Sequence, residues 1–348
     1  MSAPVAAWAT RGAVVAGLAL LVLVFPLTRS GIEVNVFTEA VIYAIIGLSL
    51  NVLLGYAGQI SLGHQAFVGI GAFTAAYMTS VHEQNFVAAI GVTMLVGAAQ
   101  AFVLGLVSLR ITGLYFALVS LTYGTMAENS LFNITSLTGG PAGQAAPKPA
   151  AFASDHRYYY VCLVFLAVVL YVDWRLTSTK AGRALLAIRQ EPRVAASFGA
   201  SLRRYTVMAF VVSGVFASIA GALLAYNTTS VVASQFEFQL ALVFVIMTVV
   251  GGLRSRAGVV VGSVFFSLTD YLFDKLRLAS AVDAIPLLPD MPADLAPLVL
   301  GPLLLLFTLT RHPGGFGEIL RPIGRWLRTV PPLEQPAATP TTGTPAHA

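Results

Sequence analysis

Charge is the first thing this sequence lacks. Only 10% of its 348 residues are Asp, Glu, Lys or Arg while 57% are hydrophobic, against roughly 25% charged in a water-soluble domain. An ordinary globular surface is excluded, and most of the exterior must face lipid. The chain has one cysteine, Cys162, inside an apolar run, so it can form no internal disulfide and no thiolate metal site. It has three lysines, none preceded by glycine. A Gly-x-x-x-x-Gly-Lys-Ser/Thr loop is therefore absent, and any nucleotide hydrolysis must occur on another chain. Neither His-Glu-x-x-His nor Gly-x-Ser-x-Gly occurs, so membrane hydrolase chemistry has nothing to attach to and no cofactor or metal is implied.

What is present is a series of apolar runs, each close to the roughly 20 residues needed to cross the hydrocarbon. Ten candidate spans are read at about 10–28, 35–54, 64–81, 86–109, 112–132, 158–174, 204–226, 237–251, 258–274 and 294–311. The expected fold is all-α, a polytopic transmembrane helical bundle of about ten spans within residues 1–328. The net charge of +5 comes from basic residues clustered in loops on one side of these runs. That distribution reads as topology rather than nucleic-acid binding, with both termini on the cytoplasmic side of a bacterial inner membrane. The first run lacks a small-x-small cleavage site after it, so it reads as a retained span rather than a leader. Residues 329–348 are rich in Pro, Thr and Ala without apolar periodicity and read as a disordered tail.

Two glycine clusters interrupt the pattern. In the first, Gly55, Gly58 and Gly63 separate two apolar runs, while Gln59, Ser61, His64 and Gln65 place hydrogen-bonding groups close to membrane depth. Non-helical backbone at that depth requires burial in protein or a watery cavity; a tight turn before a packed helix is the alternative reading. The second cluster is Gly251, Gly252 and Gly258 around Arg254 and Arg256, followed by Gly262. In a ten-span arrangement both clusters lie on the same side, as corresponding parts of two halves would, with the solute path expected at such a repeat interface. Glu39, Glu128, Glu237 and Asp270 fall near the outer ends of their spans. A midplane without carboxylates argues against proton coupling, though a sodium-coupled transporter and a non-transporting scaffold both stay open.

The longest polar stretch between spans is 175–204. Ala181, Ala184, Leu185 and Ile188 recur there at helical spacing. Pro192 disfavours helix in the residue before it and can open a second helix, which would stop at Gly199. Two short helices of this kind either dock a cytoplasmic partner or lie on anionic lipid.

These residues carry a resemblance. Gly-Tyr-Ala-Gly-Gln-Ile-Ser-Leu-Gly-His-Gln-Ala-Phe (55–67), Gly113-Leu-Tyr-Phe-Ala-Leu, Thr138-Gly-Gly-Pro-Ala-Gly, Gly182-Arg-Ala-Leu-x-Ala-Ile-Arg, Ala209-Phe-x-x-Ser-Gly and Ala220-Gly-Ala-Leu resemble the LivM-type permeases of branched-chain amino acid ABC importers. The resemblance runs from about residue 35 to 320 and leaves out the tail. It implies a permease for branched-chain or other neutral amino acids, with urea or short amides as the alternative cargo. Its implied partners are a second, LivH-like permease, two cytoplasmic ABC ATPase subunits, an extracytoplasmic solute-binding protein and membrane lipid. Gly182, Arg183, Ile188, Arg189, Glu191, Ala195, Ala196 and Gly199 would then belong to the loop that contacts the ATPase, although the Glu-Ala-Ala signature of many ABC permeases stands here only as Glu191-Pro-Arg-Val-Ala-Ala. Gly55, Gly58, Gln59, Ser61, Gly63, His64, Gly251, Gly252 and Gly258 would line or break helices along the translocation pathway.

Overall fold

A computed structural model describes residues 23–28, 30–111, 113–269, 271 and 315–319. The candidate first and last spans, Asp270 and the C-terminal tail lie outside these residues, apart from 23–28 of the first span. The elements below all fall within the unit Pro26–Leu320.

Helix α1 (Gly31–Leu50) runs directly into a π-helical turn, Asn51–Ala57. It is followed by α2 (His64–Ser80), α3 (Phe86–Ser108) and α4 (Leu114–Asn129). After an irregular segment come α5 (Asp155–Ser178), two short helices α6 (Lys180–Gln190) and α7 (Pro192–Ser197), and then α8 (Leu202–Thr228), α9 (Phe238–Gly251) and α10 (Arg256–Ser267). Two short strands, β1 (Gln144–Ala145) and β2 (Ser230–Val231), pair antiparallel and tie the 131–153 segment to the end of α8.

Five stretches among the described residues are long and apolar enough to cross a membrane: Gly31–Ala57, Phe86–Ser108, Asp155–Ser178, Leu202–Thr228 and Ala233–Gly251. Helices of this composition show no single apolar stripe because lipid and protein core are equally apolar. Burial sorts them instead. The α1 stretch is almost wholly enclosed, whereas α3, α5 and α9 leave most of their surface outward.

Around α1 the bundle closes through small residues. α8 lies along α3 and α2, and α1 along α5, α8 and α10. A Cβ placed on Gly221 of α8 would come within 1.9 Å of the Val68 carbonyl oxygen of α2, and one on Gly71 within 2.4 Å of the Ser218 carbonyl oxygen. Backbones that approach this closely gain van der Waals contact where lipid supplies no hydrophobic drive between helices. Larger side chains fill the remaining space, with Phe67, Phe116, Phe132, Phe210, Phe236 and Phe244 all buried.

Candidate functional site

The site is built where α1 ends. Seven residues of π-helix widen its last turns, a geometry often found at functional positions. Gly58 then takes a left-handed φ of 69°, its N–H and that of Gln59 both directed at the Leu53 carbonyl. The chain does not turn at the rim. His64 Nε2 lies 2.6 Å from Ser49 Oγ, and Ser49 precedes the end of the π turn by roughly 10 Å of helix. Residues 58–63 therefore run back into the bundle, and α2 begins inside it. This explains why α2, at 17 residues, is shorter than a full span. The inward path is fixed by Leu62 N–H, which donates to Ser120 Oγ at 3.0 Å. Gly63 passes so near α4 that a Cβ would sit 1.8 Å from the Ser120 carbonyl oxygen.

Polar groups collect along this re-entrant segment. Ser49 Oγ also donates to the Ser213 carbonyl at 3.1 Å, and Ser213 Oγ donates to the Ser49 carbonyl at 2.8 Å. Ser61, His64 and Gln65 are buried. His64 Nδ1, Gln59 Oε1 and both amide atoms of Gln65 have no hydrogen-bond partner among the described residues. Buried polar atoms are seldom left so, because each unmet group costs on the order of 1–3 kcal/mol.

The second glycine cluster meets the first. Asn51 Oδ1 accepts from the Arg254 N–H at 2.9 Å, and a Cβ on Gly55 would lie 3.2 Å from that nitrogen. Arg254 holds φ at 69°, a conformation that costs a residue with a Cβ energy and that this hydrogen bond helps maintain. Gly251, Gly258 and Gly262 allow α9 and α10 to touch backbone to backbone, with a Cβ on Gly258 only 2.1 Å from the Gly251 carbonyl oxygen. Gly252 ends α9 at φ 99°.

An ion pair locks the same end. Asp173 of α5 is fully buried, and its Oδ2 accepts from Arg256 Nε and, at 3.0 Å, from Tyr56 Oη. Tyr56 Oη in turn accepts from Asn51 Nδ2 at 3.1 Å, while Arg256 also donates to Thr177 Oγ1. The π turn, α5 and α10 are thus joined through one carboxylate. Asp173 is not among the residues that the sequence patterns single out. Its available signal was a carboxylate inside an apolar run, with an arginine opening a later span.

The 180–199 residues divide by exposure. Gly182, Leu185, Ile188 and Ala195 are buried, so Leu185 and Ile188 of the α6 stripe face the bundle, while Ala181 and Ala184 are half-buried. Gly182 sits where α5 turns into α6, a Cβ there meeting Thr177 Cα at 2.5 Å. Arg183, Glu191, Ala196 and Gly199 are exposed. Beside them Val194 and Phe198 are 51% and 87% exposed, and a groove of about 460 Å³ opens between α6 and α7. Arg189 links the two surfaces. Its guanidinium donates to the Gly55 carbonyl, and its aliphatic stem covers Gly58, where a Cβ would meet its Cγ at 2.7 Å. Burial, and after it the nearby Arg254 charge, lower the pKa of this group from its ordinary value. An arginine nonetheless stays charged.

This arrangement is that of an all-α, multi-pass membrane protein with a helical break inside the bundle and a short helical pair at one end. Residues 32–308 match the family described as "Branched-chain amino acid transport system / permease component", and the chain belongs to that family. The high-affinity branched-chain amino acid transport system permease protein LivM of Escherichia coli (strain K12) is 31% identical over 275 residues, covering 71% of this chain and 65% of that protein. A probable LivM permease of Methanocaldococcus jannaschii is 25% identical over 318 residues, 78% of this chain and 90% of that one. A probable LivH permease of the same organism is 26% identical over 280 residues, 78% of this chain and 82% of that one. The chain thus spans about 65% of the length of the enterobacterial LivM proteins it matches. No solved structure matches it.

Proposed function

We propose that this chain is the membrane-spanning permease subunit of an ATP-binding cassette importer that carries branched-chain or other neutral amino acids across the inner membrane. The observation that carries the reading is the reach of Arg189 from the α6–α7 pair to the Gly55 carbonyl at the helix break. A push on the exposed helices is thereby transmitted to the backbone beside the buried, unpaired groups of His64 and Gln65. Membership of the family, and the names borne by the LivM and LivH relatives, support the class of cargo.

In this reading the working unit holds a second, LivH-like permease, two cytoplasmic ATPase subunits and an extracytoplasmic solute-binding protein. About ten spans with both termini cytoplasmic complete the topology. ATP-driven closure of the ATPases displaces the 180–199 residues, and the permease pair alternates between inward-open and outward-open packing. Gln59, Ser61, His64 and Gln65 offer hydrogen bonds to solute or water as it passes the break. Arg183, Glu191, Ala196 and Gly199, with Val194 and Phe198, form the ATPase-facing surface, while Gly182, Ile188 and Ala195 hold that surface on the bundle.

The test is reconstitution of the purified assembly in liposomes with leucine and its binding protein. Uptake should require ATP, and uptake by this chain alone on an ion gradient would refute the reading. Arg183→Glu reverses a charge on the exposed face without touching the core, so ATPase subunits should co-purify at about one tenth of the normal ratio, equivalent to about 1.4 kcal/mol. An unchanged ratio would remove Arg183 from the interface.

A further inference from the structure

From Ser213 to Asn227 nearly every residue of α8 is buried, yet its first three turns leave one face open. A groove of about 450 Å³ runs there between α8 and α3, with Phe102, Leu106, Val207 and Val211 among its walls and Arg203 and Arg204 at one end. Apolar surface makes up almost all of its lining. Phe102 is 48% exposed, and both arginines are exposed without an ion pair or side-chain hydrogen bond among the described residues.

We propose that this groove binds an anionic glycerophospholipid, its phosphate on Arg203 and Arg204 and one acyl chain along the α3–α8 wall. Dimensions support this occupant. From Leu202 to Val212 the helix rises about 15 Å, half of the roughly 30 Å hydrocarbon core and hence the depth of one leaflet. Charge supports it too. Two unpaired guanidiniums where a span enters the bilayer match the planar, bidentate recognition of phosphate, and basic clefts between membrane helices take anionic headgroups in this way. The N-terminal end of α8 adds partial positive charge there, with the Arg204 N–H already capped by Ser201 Oγ. A protein partner covering this face would need acidic groups to meet both arginines, whereas the lipid brings its own phosphate.

The experiment is native mass spectrometry of the purified chain in detergent, titrated with phosphatidylglycerol or phosphatidylcholine. The wild type should retain phosphatidylglycerol preferentially. Arg203→Gln with Arg204→Gln should weaken that retention by about tenfold or more and leave phosphatidylcholine unchanged. A second variant, Val211→Trp, fills the groove while keeping both charges and should also displace the lipid. Both substitutions lie on an open face, and an unchanged elution volume would confirm that the fold survives. Equal retention of the two lipids, full retention by either variant, or a wild-type dimer that Val211→Trp breaks would each overturn the proposal, the last by making the groove a protein interface.

Discussion

Asp173→Ala lowers the thermal unfolding midpoint of the detergent-solubilised protein by several degrees, a loss of about 3 kcal/mol. The carboxylate is fully buried and accepts from Arg256 and from Tyr56. Removing it strands a guanidinium that is only 28% exposed and leaves a buried phenol without its acceptor. Breaking a buried pair in this way costs about 3–5 kcal/mol. The lower figure applies because Arg256 keeps Thr177 and some contact with water. The pair itself need not be stabilising, since desolvation offsets much of its attraction. The double variant Asp173→Leu with Arg256→Met should therefore recover most of the loss, because it removes both charges together. Thermal melts of the three proteins followed by tryptophan fluorescence decide the matter. A single variant that melts like wild type, or a double variant that melts no higher than the single, would show that this pair does not hold the helix ends together.

How much of this was legible depends on the range over which each signal acts. Apolar runs are local, so the helices now seen at Phe86–Ser108 and Leu202–Thr228 stood at about those bounds in the sequence. The end of α1 did not. Gly55 read as a break after a span ending at residue 54, yet a π turn carries the helix on to Ala57, with the Asn51 amide engaged by Tyr56 and by the Arg254 N–H. That partner lies 203 residues away, beyond any pattern in the sequence. The stripe of α6 was legible as periodicity, but periodicity gives a face and not its direction. Leu185 and Ile188 turn inward, and the outward apolar surface belongs to Val194 and Phe198, which lie in and just after a six-residue helix too short to show a period. Gly58 and Gly63 were legible as breakers. Their depth was not, since the segment is placed inside the bundle by contacts between distant residues, of His64 with Ser49 and of Leu62 and Gly63 with Ser120.

That depth makes Gly58→Val the substitution with the largest expected effect on transport. Gly58 is at φ 69°, where a side chain costs roughly 1–2 kcal/mol, and more when branched at Cβ. The new Cβ also falls 2.7 Å from Arg189 Cγ, and the two γ-methyl groups of valine add bulk beside the same stem, so the arginine should be displaced from over the turn and from the Gly55 carbonyl. Gly58→Ala shares the backbone strain and the first clash but adds no methyl groups beyond Cβ, so it should be milder. Since α1 and α8 keep their packing, both variants should insert and be recovered at near-normal levels. ATP-driven leucine uptake in the reconstituted assembly should fall to below about a tenth of normal in Gly58→Val, a change of at least 1.4 kcal/mol in the coupled step. On the proposed placement of the ATPases at the exposed α6–α7 surface, which this substitution leaves intact, ATP hydrolysis should continue while movement of that surface no longer reaches the helix break. Hydrolysis and uptake measured on the same vesicles separate this outcome from simple loss of assembly. Unimpaired uptake in Gly58→Val would mean that the turn and Arg189 have no part in transmitting the stroke.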